Sequence, residues 1–157
     1  MPHHEIERKY LVDNMPPEVS QAAGAKYRQG YLVIDDERAL TVRLRREGDV
    51  YRLAIKKGRG EVRTEVELPM SASQFDALWN EAEAISLEKT RYVLPIGALN
   101  AEVDVFEGRL EGLVMVEVEF ESAAEAQDFS PPDWFGKDVT DDPRYLNQNL
   151  ARHGRPV

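Results

Sequence analysis

Eight stretches of this chain alternate in hydropathy with period two, and that repetition limits the folds open to it more than any other feature. Glu5 to Val12, Tyr27 to Ile34, Ala39 to Arg46, Tyr51 to Lys56, Val62 to Leu68, Glu88 to Leu94, Ala101 to Phe106 and Leu113 to Phe120 all read as strands. In the last of them Val114, Val116, Val118 and Phe120 share one face, with Glu117 and Glu119 on the other. In the third, Leu40, Val42 and Leu44 alternate with Arg43 and Arg45. Short polar loops separate most of the strands, which implies hairpin succession. Eight antiparallel strands close into a barrel and so remove the exposed edges of an open sheet. The expected class is α+β, mainly β: a closed eight-stranded antiparallel barrel with flanking helices.

The remaining segments fit between and after these strands. Lys57-Gly58-Arg59-Gly60 joins two strands and reads as a hairpin loop; its glycines precede no helix, unlike a phosphate-binding loop. After Pro69 the apolar period changes to three and four residues, through Phe75, Leu78, Trp79, Ala82 and Ile85, so a helix capped by Ser71 or Ser73 is expected. A short helix from about Ala123 and a loop at Pro131-Pro132 follow. A last helix is expected from Asp141 or Asp142, with Pro143 in its first turn, running to His153. No linker, repeat or low-complexity tract interrupts the 157 residues, which read as a single domain over 1–157.

Bulk properties exclude several functions. There is no cysteine, which removes disulfides, thiolate metal sites and cysteine nucleophiles and accords with a cytoplasmic protein. The first twelve residues are too charged for a secretory signal, and no apolar run approaches a membrane span. A net charge of -9 argues against a general nucleic-acid or anionic-membrane surface. It leaves room for a polyanionic small molecule gripped by a local cluster of cations. His3 and His4 precede the first strand and His153 ends the last helix, so all three read as surface residues without a general-base role.

Seven of the eight strands carry two or three charges on one face, two or four residues apart. They are Glu5, Glu7 and Lys9; Arg43 and Arg45; Arg52 and Lys56; Glu65 and Glu67; Lys89 and Arg91; Glu102 and Asp104; Glu117 and Glu119. In a closed barrel these faces either meet water outside an apolar lumen or line the lumen beneath covering helices. Patterning alone does not separate the two. The amphipathic helices and the sorting of acidic and basic pairs onto different strands favour the second, since a merely solvated surface gains nothing from such sorting. A lumen so charged has to hold water, metal and an anion. Carboxylates are the ligands Mg2+ or Mn2+ prefers, and Arg and Lys clamp phosphate oxygens. Together they spell a metal-dependent phosphate site.

Glu5-Ile6-Glu7-Arg8-Lys9 resembles the ExExK signature of the triphosphate tunnel metalloenzymes, the CYTH superfamily, in its short bacterial type. Gln29-Gly30-Tyr31-Leu32, Thr41-Val42-Arg43-Leu44-Arg45, Ala54-Ile55-Lys56, Glu65-Val66-Glu67-Leu68, Lys89-Thr90-Arg91 and Val116-Glu117-Val118-Glu119-Phe120 follow in the order of that family. Val139-Thr140-Asp141-Asp142-Pro143-Arg144-Tyr145 with Asn149-Leu150-Ala151 resembles its closing segment, so the likeness runs from Glu5 to about Gly154. The resemblance implies a tunnel in which Lys9, Arg43, Arg45, Lys56, Lys89 and Arg91 bind phosphate. It implies Glu5, Glu7, Glu65, Glu67, Asp104, Glu117 and Glu119 as the metal side for Mg2+ or Mn2+. Catalytic roles fall to Glu5, Glu7, Lys9 and Lys89. Arg52 and Glu102 match less closely, and Tyr27 and Tyr31 read as packing residues, with substrate contact near a tunnel mouth as the other reading.

The implied reaction is metal-dependent hydrolysis of inorganic triphosphate to pyrophosphate and phosphate, with a metal-held water in place of a side-chain base. Adenylate cyclisation and thiamine or nucleoside triphosphate hydrolysis are the rivals within the family. A non-catalytic polyphosphate binder is the rival outside it, disfavoured by the many acids beside the ligand. The expected partner is a small-molecule triphosphate, with no nucleic acid and no membrane; a homodimer is allowed.

Overall fold

The protein is described by a computed structural model over residues 3–59 and 62–157. Its strands are β1 (His3–Leu11), β2 (Gly24–Asp35), β3 (Leu40–Glu47), β4 (Val50–Lys57), β5 (Val62–Met70), β6 (Ser86–Ile96), β7 (Leu99–Phe106) and β8 (Val114–Glu119). They form the expected closed antiparallel barrel, in the order β1-β5-β4-β3-β2-β6-β7-β8. Two meanders, β2 to β5 and β6 to β8, join through the β2–β6 pair, and β1 closes the ring between β8 and β5.

That closure is staggered. The first half of β1 pairs with β5, ending at Ile6 opposite Val62, while Glu7 to Leu11 pair with Glu119 to Met115 of β8. Below the start of β5, Gly136–Thr140 takes over as the neighbour of β1. The Leu11 N–H donates to Lys137 O at 2.9 Å, and the Val139 N–H to Lys9 O at 2.9 Å. Gly136 fits because a Cβ there would stand 2.7 Å from Leu11 O.

Among the described residues, four short helices and three apolar clusters pack against the barrel, two clusters on its outside and one in its end. Helix α2 (Ala72–Ala82) begins in a capping box: the Ser71 hydroxyl accepts from Gln74 N–H, and the Gln74 side chain accepts from Ser71 N–H. Its Phe75 and Ala82 pack on Leu44 of β3. Helix α3 (Ala123–Asp128) and the loop to Phe135 bury Tyr10, Val103, Val116 and Val118. Helix α4 (Asn147–His153) brings Leu150 and Ala151 against Phe106, Met115, Leu87 and Tyr31, inward-facing positions at one end of the barrel. The apolar strand faces are therefore covered and the charged faces turn inward, which settles the alternative that patterning left open. Among the described residues no helix is long and apolar enough to cross a membrane.

Some boundaries differ from expectation. Helix α1 (Pro17–Gln21) was not expected; at five residues it is too short to show a period, and it rests on buried Val19 with Pro at its start. Helix α2 ends at Ala82, so Ile85 belongs to the end cluster instead. The last helix is not continuous from Asp142. Pro143–Tyr145 is a 3-10 turn capped by the Asp142 side chain, and extended Leu146 (ψ 140°) separates it from α4. β1 starts at His3, so His3 and His4 lie in the strand rather than before it; the surface position expected for their side chains falls outside the described residues. His153 is exposed as expected. The β4–β5 connection is a hairpin, pairing Lys57 with Thr64, although Gly60 of its loop is outside the described residues.

Gly30 lets α2 lie close on β2: a Cβ there would meet Ala82 O at 2.8 Å and Trp79 at 3.1 Å. Gly30→Val is expected to cost about 1–3 kcal/mol, because backbone rather than a flexible side chain has to move. Denaturant unfolding measures it; an unchanged midpoint would mean that α2 shifts freely.

Candidate active site

Alternation along each strand puts the i, i+2 charges on one wall of a cavity of about 330 Å³. Seven cations and seven carboxylates line it. Arg43 and Arg45 of β3, Lys56 of β4, and Lys89 and Arg91 of β6 form a basic arc, with Tyr27, Gln29 and Tyr31 of β2 in its middle. Glu102 of β7, Glu117 and Glu119 of β8, Glu5 and Glu7 of β1, and Glu65 and Glu67 of β5 form the facing acidic arc. Lys9 and Arg63 are the cations within that arc. Leu146, Asn147 and Gln148, at the entry to α4, cover one side.

The charges are paired along the cavity wall, between strands at most two places apart in the ring. Lys9 Nζ lies 3.4 Å from Glu117 and 4.0 Å from Glu7. Lys56 Nζ reaches Glu5 at 3.1 Å and Glu65 at 3.4 Å. Arg43 pairs with Glu65 at 3.7 Å, Arg45 with Glu67 at 3.5 Å, and Arg63 with Glu7. Arg91 pairs with Glu102 at 2.8 Å and Glu117 at 3.5 Å.

Burial and neighbours set the ionisation. Burial pushes the Glu117 carboxyl up, but Lys9, Arg91 and Lys89 outweigh it and hold the group well below the usual range. Burial lowers Lys9, yet Glu117 and Glu7 outweigh this and leave its pKa raised. Burial pushes Glu102 up, and Glu117 opposes its ionisation further. Lys89 is brought down to about 8, chiefly by burial and then by Arg91, with Asp104 opposing. Burial pushes the Tyr27 hydroxyl up to about 12, while Arg45, Arg91 and Lys89 stand 5.3, 5.0 and 5.7 Å from its ring.

Most site residues expected from the sequence meet here: Glu5, Glu7, Lys9, Arg43, Arg45, Lys56, Glu65, Glu67, Lys89, Arg91, Glu117 and Glu119, together with the weaker candidate Glu102. Asp104 is set apart from these. It is only 1% exposed and lies off the cavity wall, accepting from Lys89 Nζ at 2.8 Å and from Arg91 Nε and Nη2 at 2.7 and 2.8 Å. Both of its oxygens are engaged by these two cations. Arg52 stands at the rim, paired with Glu47 and Glu67, outside the cavity lining. Tyr27 and Tyr31 are buried as expected but also line the cavity.

Arg63, Gln29 and Thr41 were missed. Arg63 shares the inward parity of Glu65 and Glu67, so the signal was present but masked by reading that strand as purely acidic. The neutral Gln29 and Thr41 carry no charge pattern by which to find them.

The donor set suits a hard divalent cation. Glu7 faces Glu119, and Glu102 faces Glu117, across paired strands, and such like-charged pairs repel unless a cation intervenes. Among the described residues no three acidic or histidine side chains already converge on one metal position. Lysine and arginine neutralise those acids instead.

Residues 3–149 match the CYTH domain. An inorganic triphosphatase of Nitrosomonas europaea is 44% identical over 149 residues, 94% of this chain and 96% of that one. One from Acetivibrio thermocellus is 38% identical over 152 residues, 95% and 94% of the two chains. The crystal structure of an inorganic triphosphatase is similar at a TM-score of 0.71 and 40% identity, over 94% of this chain and 93% of that one. With the family's span covering nearly the whole barrel and its charged lumen, the chain belongs to the CYTH domain family.

Proposed function

We propose that the cavity binds inorganic triphosphate together with a divalent cation and hydrolyses it to pyrophosphate and phosphate. The supporting observation is a cavity with five cations on one wall and seven carboxylates with two further cations on the facing wall, in a chain 44% and 38% identical to two inorganic triphosphatases. A cytoplasmic location belongs to the same reading, and the lack of cysteine accords with it.

Lys9, Arg43, Arg45, Lys56, Lys89 and Arg91 grip the phosphate oxygens, and Arg63 joins them from the acidic side. A triphosphate has enough oxygens to draw these cations away from Glu5, Glu7, Glu65 and Glu117, their present partners. The carboxylates so released, with Glu67 and Glu119, hold Mg2+ or Mn2+. When bound, that cation supplies Lewis-acid stabilisation of the charge on the phosphoryl group. The chain contributes position and field. Cations fixed on β3, β4 and β6 align the anhydride and neutralise charge as the terminal phosphoryl group departs. Asp104 keeps Lys89 and Arg91 extended toward it. The acids of β1 and β8 orient the attacking water.

Because metal and triphosphate exchange partners within one ion-pair network, each should tighten the other's binding by the same factor. Lys89 gives the free protein a basic limb: kcat/KM should fall as pH rises through about 8, where its ammonium loses the proton. A pH–rate profile with tripolyphosphate checks this; a rate flat through that region would remove Lys89 from the clamp.

The discriminating experiment compares phosphate release from tripolyphosphate, ATP and thiamine triphosphate with Mg2+ and with Mn2+. Tripolyphosphate should have the highest kcat/KM. Cyclic AMP from ATP, or preference for either organic triphosphate, would overturn the assignment.

A further inference from the structure

A second cavity of about 370 Å³ adjoins the first. Thr41, Lys56, Arg63, Leu146 and Gln148 line both, so the two adjoin at these side chains. It lies where the barrel wall changes partner. β5 begins opposite Ile6, and β1 then pairs with Gly136–Thr140; the second cavity is bordered by Gly58 and Arg59 after β4 on one side and by Thr140 and Asp141 on the other.

Its electrostatics favour an anion. Lys56, Arg59 and Arg63 face Asp36 and Asp141, and Asp36 is already paired with Arg152 at 3.1 Å. Arg59 donates to the carbonyls of Asp36 and Glu37. On the shared wall, the buried Nε–H of Arg63 has no hydrogen-bond acceptor among the described residues. A buried guanidinium N–H without an acceptor is costly and is satisfied by an incoming oxygen.

We propose that this lateral chamber is a second phosphate-group subsite. Its occupant is either the fourth unit of a linear polyphosphate whose first three units fill the central cavity, or free orthophosphate. The inference rests on the triphosphate reading for what occupies the central cavity, but the chamber's own cation, Arg59, lies outside that cavity.

The test uses Arg59→Glu and Asp141→Asn, both at exposed positions, with circular dichroism to verify folding. Tripolyphosphate, tetrapolyphosphate and orthophosphate are titrated calorimetrically into each protein, and turnover of the two polyphosphates is measured in parallel. Arg59→Glu should weaken one four-unit or orthophosphate interaction about tenfold, Asp141→Asn should strengthen the same one, and tripolyphosphate should stay within about twofold. An effect confined to tetrapolyphosphate identifies the chain's fourth unit; one confined to orthophosphate identifies the free ion. No change for either ligand, or an equal change for tripolyphosphate, overturns the subsite. A protein that hydrolyses nothing yet shows the Arg59 effect in calorimetry keeps the subsite and loses the triphosphatase assignment. One that hydrolyses tripolyphosphate without any Arg59 effect does the reverse.

Discussion

Glu117→Gln is expected to lower kcat/KM for tripolyphosphate by about two to three orders of magnitude while the barrel stays folded, the scale seen when one preorganised charged group is removed from a site. The change is isosteric and removes a single charge. Glu117 sits in the acidic arc, 3.4 Å from Lys9 and 3.5 Å from Arg91 of the basic arc, facing Glu102 across the β7–β8 pair. Its loss weakens the acidic wall and leaves Lys9 with Glu7 as its remaining partner. The fold should persist because Arg91 keeps Glu102 and Asp104. Affinity for tripolyphosphate without metal should be retained or increased, since an anion gains when a neighbouring acid is neutralised. Steady-state kinetics and calorimetry together check both halves. Wild-type turnover in this variant would remove Glu117 from the reaction, and a non-catalytic binder would show tighter binding with no turnover in either protein.

Asp104→Ala is expected to have the largest effect on stability, about 3–5 kcal/mol, the cost of breaking a buried ion pair from one side. Asp104 and Lys89 are each 1% exposed, so water cannot replace the lost carboxylate. Lys89 and Arg91 would be left as neighbouring buried cations over Tyr27. Burial raises the Asp104 pKa, but Arg91 and Lys89 outweigh it and depress the folded value. The contribution is therefore complete above the unfolded carboxylate pKa of about 4 and is lost as pH falls from there through the folded value. Denaturant melts of wild type and variant should differ most near neutral pH and converge in acid. A shift below about 1 kcal/mol at neutral pH would class the pair with ordinary surface ion pairs and refute its structural role.

The barrel was legible because its information is local. Period-two alternation in each strand, strong in Leu113 to Phe120 and in Leu40 to Arg45, specifies both strand and face. The site was legible for the same reason: once charges two apart share a face, closing the sheet brings them together. What local pattern does not carry is depth. Glu102 and Asp104 have the same parity, but only the fold distinguishes the one on the cavity wall from the one beneath Lys89 and Arg91. Arg63 had the right parity but stands just before the acidic pair Glu65 and Glu67 that dominates its strand. The break at Leu146 depends on Asp142 capping a 3-10 turn and on the Asn149 amide reaching Pro143 O at 2.6 Å, interactions that a helical period does not reveal. The Gly136–Thr140 segment was equally hidden. Its pairing with β1 follows from where β5 begins, a property of the stagger and not of either sequence.

Whether the facing walls handle one triphosphate is decided by following tripolyphosphate by 31P NMR in the presence of the protein. With Mg2+ or Mn2+ the tripolyphosphate signals should give way to equal molar amounts of pyrophosphate and orthophosphate, and the reaction should stop on chelation. A spectrum unchanged with either metal, or hydrolysis that proceeds undiminished in excess chelator, would contradict the triphosphatase assignment.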